Sequence, residues 1–168
     1  MLRIAITGPE SSGKTTLCRL LSDYFKVPFI SEYARTFLEN TSGAYQQSDL
    51  DFIAKEHLKN ILTSTHSISI SDTDFSVLEI WSDYKFKNSS KLIKELASKD
   101  LFGLHILCRP DIPWEPDKLR ENEHSRLYLF DLYKASLTMH RKNFIVVDGS
   151  VENRTKKSIR CIKQLINL

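Results

Sequence analysis

Gly8-Pro9-Glu10-Ser11-Ser12-Gly13-Lys14-Thr15 matches G-x-x-x-x-G-K-[ST] at every specified position. The chemistry open to such a run is anion binding by the main chain. Its glycines let the backbone curl so that successive N–H groups converge, and a helix that follows adds its positive end, so a polyphosphate fits the nest. Lys14 then brings a mobile positive charge to the β- and γ-phosphates of ATP, and the Thr15 hydroxyl can ligate magnesium. Glu10, Ser11, Ser12 and Thr16 complete the segment expected to surround the nucleotide. A chance match in 168 residues is on the order of one in a hundred or less at ordinary glycine usage. An incidental glycine turn capped by Ser11 or Ser12 is thus the weaker explanation.

Ligands of open parallel sheets bind beyond the carboxyl ends of the strands, so residues just past each short apolar run matter most. Ser71-Asp72-Thr73-Asp74 follows one such run. An extended backbone points Asp72 and Asp74 the same way. One of them, preferably Asp72, is expected to hold magnesium through water in the manner of a Walker-B carboxylate. A plain cap on the next helix is the competing role and is compatible with the first. Glu32-Tyr33-Ala34-Arg35 follows another run and sets an acid and a base about one helical turn apart. Glu32 could accept the proton of an acceptor hydroxyl, with Arg35 steadying the phosphoryl group or the acid. A surface i,i+3 ion pair worth ~0.2–0.5 kcal/mol is the bland alternative.

Residues 109–125 make a third cluster. Pro110, Pro113 and Pro116 oppose continuous helix, and a long charged connection with one large aromatic, Trp114, fits a lid. Arg109, Arg120 or Arg126 could supply charge at a phosphoryl transition state, because the planar guanidinium fork matches phosphate oxygens. Trp114, set among Asp111, Glu115 and Asp117, offers a face and a field to a flat cationic ring. A tryptophan packed on prolines would look the same. Near the end, Gly149 would let the backbone pass close to a purine, although a sheet-end glycine more often only makes a turn, and Arg154 could touch a nucleotide, a solvated arginine being the commoner case.

Elements able to present these residues follow from the alternation of short apolar runs with longer helical periodicity, the pattern of βαβ units. Strands are expected at Leu2 to Thr7, Pro28 to Ser31, Ser67 to Ser71, Phe102 to Cys108 and Asn143 to Asp148. Helices are expected at Lys14 to Phe25, Leu50 to Thr63, Phe75 to Lys85, Lys91 to Ser98, Arg126 to His140 and Glu152 to Ile166. The expected fold is α/β, a P-loop NTPase with a five-stranded mostly parallel sheet, helices on both faces and a lid, in a single domain over residues 1–168.

Composition is compatible with that fold. Hydrophobic residues make up 41% and charged ones 27%, which excludes a disordered or fibrous chain. A net charge of +3 from scattered Lys and Arg gives no footprint for nucleic acid. Cys18, Cys108 and Cys161 are odd in number and far apart, so reduced core residues are expected. No signal-peptide pattern and no run of ~20 apolar residues occurs, so a cytoplasmic protein without membrane attachment is expected.

Four motifs in order resemble the ribosylnicotinamide kinase domain of NadR-type proteins and related stand-alone P-loop kinases. They are Gly8 to Leu17, Glu32-Tyr33-Ala34-Arg35, Asp72-Thr73-Asp74-Phe75 and Pro113-Trp114-Glu115-Pro116-Asp117-Lys118-Leu119-Arg120. The resemblance implies ATP- and magnesium-dependent phosphorylation of the 5′-hydroxyl of nicotinamide riboside to nicotinamide mononucleotide, a step of NAD biosynthesis. It also implies Trp114 stacked on the nicotinamide, Asp74 or Glu32 at the ribose or acceptor hydroxyl, and Arg120 serving the lid. Larger members carry a helix-turn-helix and an adenylyltransferase domain. Here the first strand begins at Leu2 and the five histidines lie far apart, so regulation and adenylylation are not expected. Another nucleoside, nucleotide or small alcohol as acceptor is the main rival. A regulatory ATPase or GTPase fits less well, since no N/T-K-x-D occurs and the D-x-x-G at Asp100 to Gly103 precedes a strand.

Overall fold

The computed structural model describes residues 1–166. The chain runs β1 (Leu2–Thr7), α1 (Lys14–Phe25), β2 (Phe29–Ile30), α2 (Tyr33–Asn40), α3 (Gln47–Thr63), β3 (Ile68–Asp72), α4 (Phe75–Phe86) and α5 (Lys91–Ser98). It continues through β4 (Leu104–Cys108), a 3-10 turn (Glu123–Ser125), α6 (Arg126–Met139), β5 (Phe144–Val147) and α7 (Val151–Leu165). The strands form one sheet in the order β2-β3-β1-β4-β5, with every neighbouring pair parallel.

Side chains alternate across a strand, and β1 uses both faces. Ile4 and Ile6 pack with Leu17, Cys18 and Leu21 of α1 and Ile162 of α7. Ala5 faces the other way, toward Leu50, Ile53 and Ala54 of α3, Phe75 and Leu78 of α4, and Ile93 of α5. Strands covered on both faces tend to read as apolar runs, as β1, β4 and β5 largely do, whereas buried β3 alternates Ile68 and Ile70 with Ser69 and Ser71. Cys18 and Cys108 are buried with this core, and Cys161 is half-buried. No helix among the described residues is long and apolar enough to cross a membrane.

The central position of β1 decides where chemistry can happen. From β1 the chain passes over β3 to the edge at β2, and from β3 it crosses β1 to reach β4. The loop leaving β1 therefore opens at the switch point, where a parallel sheet has its crevice.

Helix α2, over Tyr33–Asn40, was not among the expected elements. It is 8 residues long, and although Tyr33, Ala34 and Phe37 pack on the core beside Leu38, about two turns are too few for a 3.6-residue period to stand out from a loop. Helix α3 begins at Gln47 instead of Leu50, because Gln46 and Asp49 form a capping box in which the Gln46 amide donates to Asp49 Oδ2 at 2.7 Å. Strand β2 shrinks to two residues at the sheet edge.

Candidate active site

Between β1 and α1 the phosphate loop turns on two glycines in the positive-φ region. Gly8 has φ +133°, and a Cβ there would lie 2.7 Å from the Cys108 carbonyl oxygen; Gly13 has φ +84°. Only glycine fits the first position without moving β4. Lys14 Nζ donates to the carbonyls of Gly8 and Pro9, both at 2.9 Å, so the lysine spans its own loop. The Thr15 hydroxyl donates to Asp72 Oδ2 at 2.6 Å. Asp72 is buried, and its Oδ1 has no partner among the described residues; nor has the buried Ser12 hydroxyl. A buried carboxylate oxygen without a donor is costly. It fits a site made for a cation or its water, and Thr15 with Asp72 is a hard oxygen pair suited to magnesium.

A cavity of about 1170 Å³ opens from this loop, and it is lined by Gly8, Glu10 to Thr16, Glu32, Arg35, Asp72, Asp117, Arg120 and Arg154. Single-ligand pockets run to ~300–1,000 Å³, so two substrates can share it. Burial pushes the Glu32 carboxyl up to about 7, with nearby Lys14 opposing the rise and Asp72 adding to it. A carboxyl poised near neutrality beside a phosphate loop suits a proton acceptor. Arg35 does not pair with Glu32. It bonds Glu39 Oε1 at 3.1 Å and Asp117 Oδ2 at 2.6 Å, joining α2 to the 109–125 segment.

Three expectations need correction in their geometry. Asp72 and Asp74 do not point the same way, because the strand ends at Asp72 and Thr73 turns the chain with φ +89°. Asp74 lies beneath the site and not on the cavity wall. Its Oδ1 accepts from Thr7 Oγ1 at 2.8 Å and Ser76 Oγ at 2.7 Å, and Oδ2 lies 3.4 Å from Nε2 of His105. Burial holds His105 below its ordinary pKa despite that carboxylate. Trp114 is likewise absent from the cavity lining. The guanidinium groups of Arg126 and Arg120 sit 5.5 and 5.9 Å from its ring centre, so the indole carries cations of this chain. Arg154 is not solvated. It is 4% exposed and donates to Gly149 O at 2.9 Å, Ser12 O at 2.8 Å, Arg109 O at 3.0 Å and Asp111 Oδ1. It pins the phosphate loop to the loop after β5, while one face still lines the cavity.

One wall was missed. Tyr45, Trp81, Tyr84 and Lys85 also line the cavity. The Trp81 indole N–H donates to Tyr45 Oη at 2.8 Å, and Lys85 Nζ lies 4.1 Å from the Tyr45 ring centre. Val77, Ile80, Trp81 and Tyr84 repeat at helical spacing, which in sequence is indistinguishable from a core stripe.

These parts define an α/β protein with a P-loop kinase-like fold. A family model described as "AAA domain" matches residues 3–154, and the chain belongs to that family. It is homologous over nearly its full length to part of the trifunctional NAD biosynthesis/regulator protein NadR of Escherichia coli K12. Identity is 28% over 169 residues, covering 95% of this chain and 41% of the relative. The Salmonella typhimurium protein of that name is 27% identical over 173 residues, covering 97% and 42%. The chain thus spans about two-fifths of the length of these curated relatives. Among solved structures, NadR in complex with NR superposes with a TM-score of 0.77 at 18% identity, covering 99% of this chain and 52% of that one. Thymidylate kinase from Ehrlichia chaffeensis gives 0.66 at 18% identity, covering 98% of each. At these identities the structural likenesses speak for the fold.

Proposed function

We propose that this chain is an ATP-dependent small-molecule kinase whose acceptor is the 5′-hydroxyl of nicotinamide riboside. The observation that carries the kinase reading is one cavity holding Glu32, with its raised carboxyl pKa, together with Lys14, Thr15 and Asp72. Glu32, and not the buried Asp74, takes the acceptor proton. The acceptor oxygen bonds to the γ-phosphorus, the bond to the β,γ-bridging oxygen breaks, the electron pair leaves with ADP, and the hydroxyl proton passes to Glu32. Lys14 leaves its loop carbonyls for the β- and γ-phosphates and offsets their charge. Magnesium, held by Thr15 and through water by Asp72, would supply neutralisation of the phosphate oxygens. Arg120, which lines the cavity, adds charge from the lid. Its guanidinium also donates to Glu115 O.

Support for the nicotinamide acceptor comes from the family resemblance and from the aromatic wall of Tyr45, Trp81 and Tyr84, a surface for a flat ring. That wall takes the stacking role expected of Trp114. A second reading is favoured by Lys85, whose ammonium on the same wall disfavours a cationic ring and suits a neutral nucleoside or a nucleotide. A coupled ADP-release assay over a panel of nucleosides and nucleoside monophosphates separates the two. Turnover with nicotinamide riboside alone supports the first; turnover with adenosine, thymidine or a monophosphate, but not the riboside, replaces it.

A further inference from the structure

We propose that Glu10 is a positioning residue that latches the 109–125 segment onto the phosphate loop and so sets Arg120 in the cavity. The role of Arg120 rests on the kinase reading above; the latch itself does not. A carboxylate in a loop built to receive a polyphosphate is out of place electrostatically, since like charges at close range oppose each other. Its contacts account for it. Glu10 Oε2 accepts from the main-chain amides of Glu121 at 3.0 Å and Asn122 at 2.9 Å. The next residue grips the other end of the segment, with Ser11 Oγ accepting from the Glu115 amide at 2.9 Å. Arg126 Nη1 adds a third tie, donating to Ser11 O at 3.2 Å and Ile112 O at 3.0 Å.

Two successive phosphate-loop residues therefore hold both flanks of Arg120. Within that frame Arg120 Nη1 donates to the Glu115 carbonyl, and residues 117 to 120 close a turn through Arg120 N to Asp117 O at 3.1 Å. The guanidinium thus has a fixed root on the loop that takes the phosphates. Two amides converging on one carboxylate oxygen form charge-assisted bonds, stronger than neutral ones. The carboxylate is committed to the segment and is not a nucleotide ligand.

Hydrogen exchange of the 115–122 peptide, nucleotide titration and steady-state kinetics of Glu10→Ala and Glu10→Gln test this. Glu10→Ala should speed exchange at Glu121 and Asn122 roughly ten- to a hundredfold. It should leave the Kd of a non-hydrolysable magnesium–ATP analogue within about threefold, because the nest amides remain, and lower kcat roughly tenfold or more. Glu10→Gln, whose amide oxygen can still accept both bonds, should recover most of the protection and of kcat, and Glu10→Ser, too short to reach either amide, repeats the Glu10→Ala reading if that variant does not fold. Unchanged exchange at Glu121 and Asn122 in the variant that lacks the acceptor, Glu10→Ala or Glu10→Ser, overturns the latch. So does a large loss of nucleotide affinity with kcat preserved, which would return Glu10 to the nucleotide. The exchange measurement needs no acceptor, so a panel without any phosphorylated nucleoside would sink the kinase reading and leave the latch to be judged separately.

Discussion

The Thr15 hydroxyl and the Asp72 carboxylate meet at 2.6 Å although 57 positions separate them in the chain. One lies in the first turn of α1 and the other ends β3, and the register Ile6↔Asp72 between adjacent parallel strands brings them together. Thr15→Ala or Asp72→Asn should reduce kcat by roughly a hundredfold or more, since charge neutralisation supplies most of phosphoryl-transfer catalysis. Steady-state rates at saturating magnesium and nucleotide check this. Retention of kcat by Asp72→Asn would remove that carboxylate from the metal site.

Glu32 should impose a pH limb on turnover. As a base it works deprotonated, so kcat/KM should fall as pH drops below about 7. Glu32→Gln should lose most activity and the limb with it. Stability moves the other way. The folded carboxyl holds its proton up to about 7 while the unfolded one releases it near 4.5, so the folded state binds more protons across that window and stability falls as pH rises through it. Glu32→Gln removes the penalty and should raise the Tm at pH 8, by roughly 2 °C or more. A lower Tm for this variant would contradict the burial account.

Asp74 should behave as a structural acid. Asp74→Ala strands the Thr7 and Ser76 hydroxyls in a buried site and should cost about 1–3 kcal/mol in urea unfolding. Asp74→Asn keeps an acceptor oxygen and should leave the acceptor KM close to that of the parent. A KM raised tenfold or more in Asp74→Asn, with stability intact, would restore it to the acceptor site.

Trp114→Ala should lower kcat more than it raises the acceptor KM, because the indole carries Arg120 and Arg126 and does not line the cavity. Loss of cation–π contacts worth about 0.5–1 kcal/mol each at exposed sites implies a several-fold decrease. Trp81→Ala should show the opposite pattern, a raised acceptor KM with kcat less affected. Reversal of the two patterns would put Trp114 back against the acceptor.

The strand runs and the phosphate loop were legible because their signals are local. A buried parallel strand is mostly apolar on both faces, and Gly8 to Thr15 must carry particular residue types in fixed order whatever surrounds them. Glu32, Asp72 and Arg120 could be named as candidates from sequence, since each lies at or after a strand end or in the charged proline-rich segment, and all three line the cavity. Helix α2 escaped because its 8 residues make only about two turns.

What only the tertiary structure decided was the direction of side chains and the identity of their partners. Sequence preferred Asp72 over Asp74 without showing why, and the positive φ of Thr73 is what turns one toward the cavity and the other beneath it. Trp81 looks like core until α4 presents it beside Tyr45 on the cavity wall. Glu10 looks like a phosphate-loop residue until Glu121 and Asn122 arrive from more than a hundred positions away. Residue type and short spacing determine which chemistry is possible, whereas long-range packing determines which atoms face one another, and no local pattern encodes that.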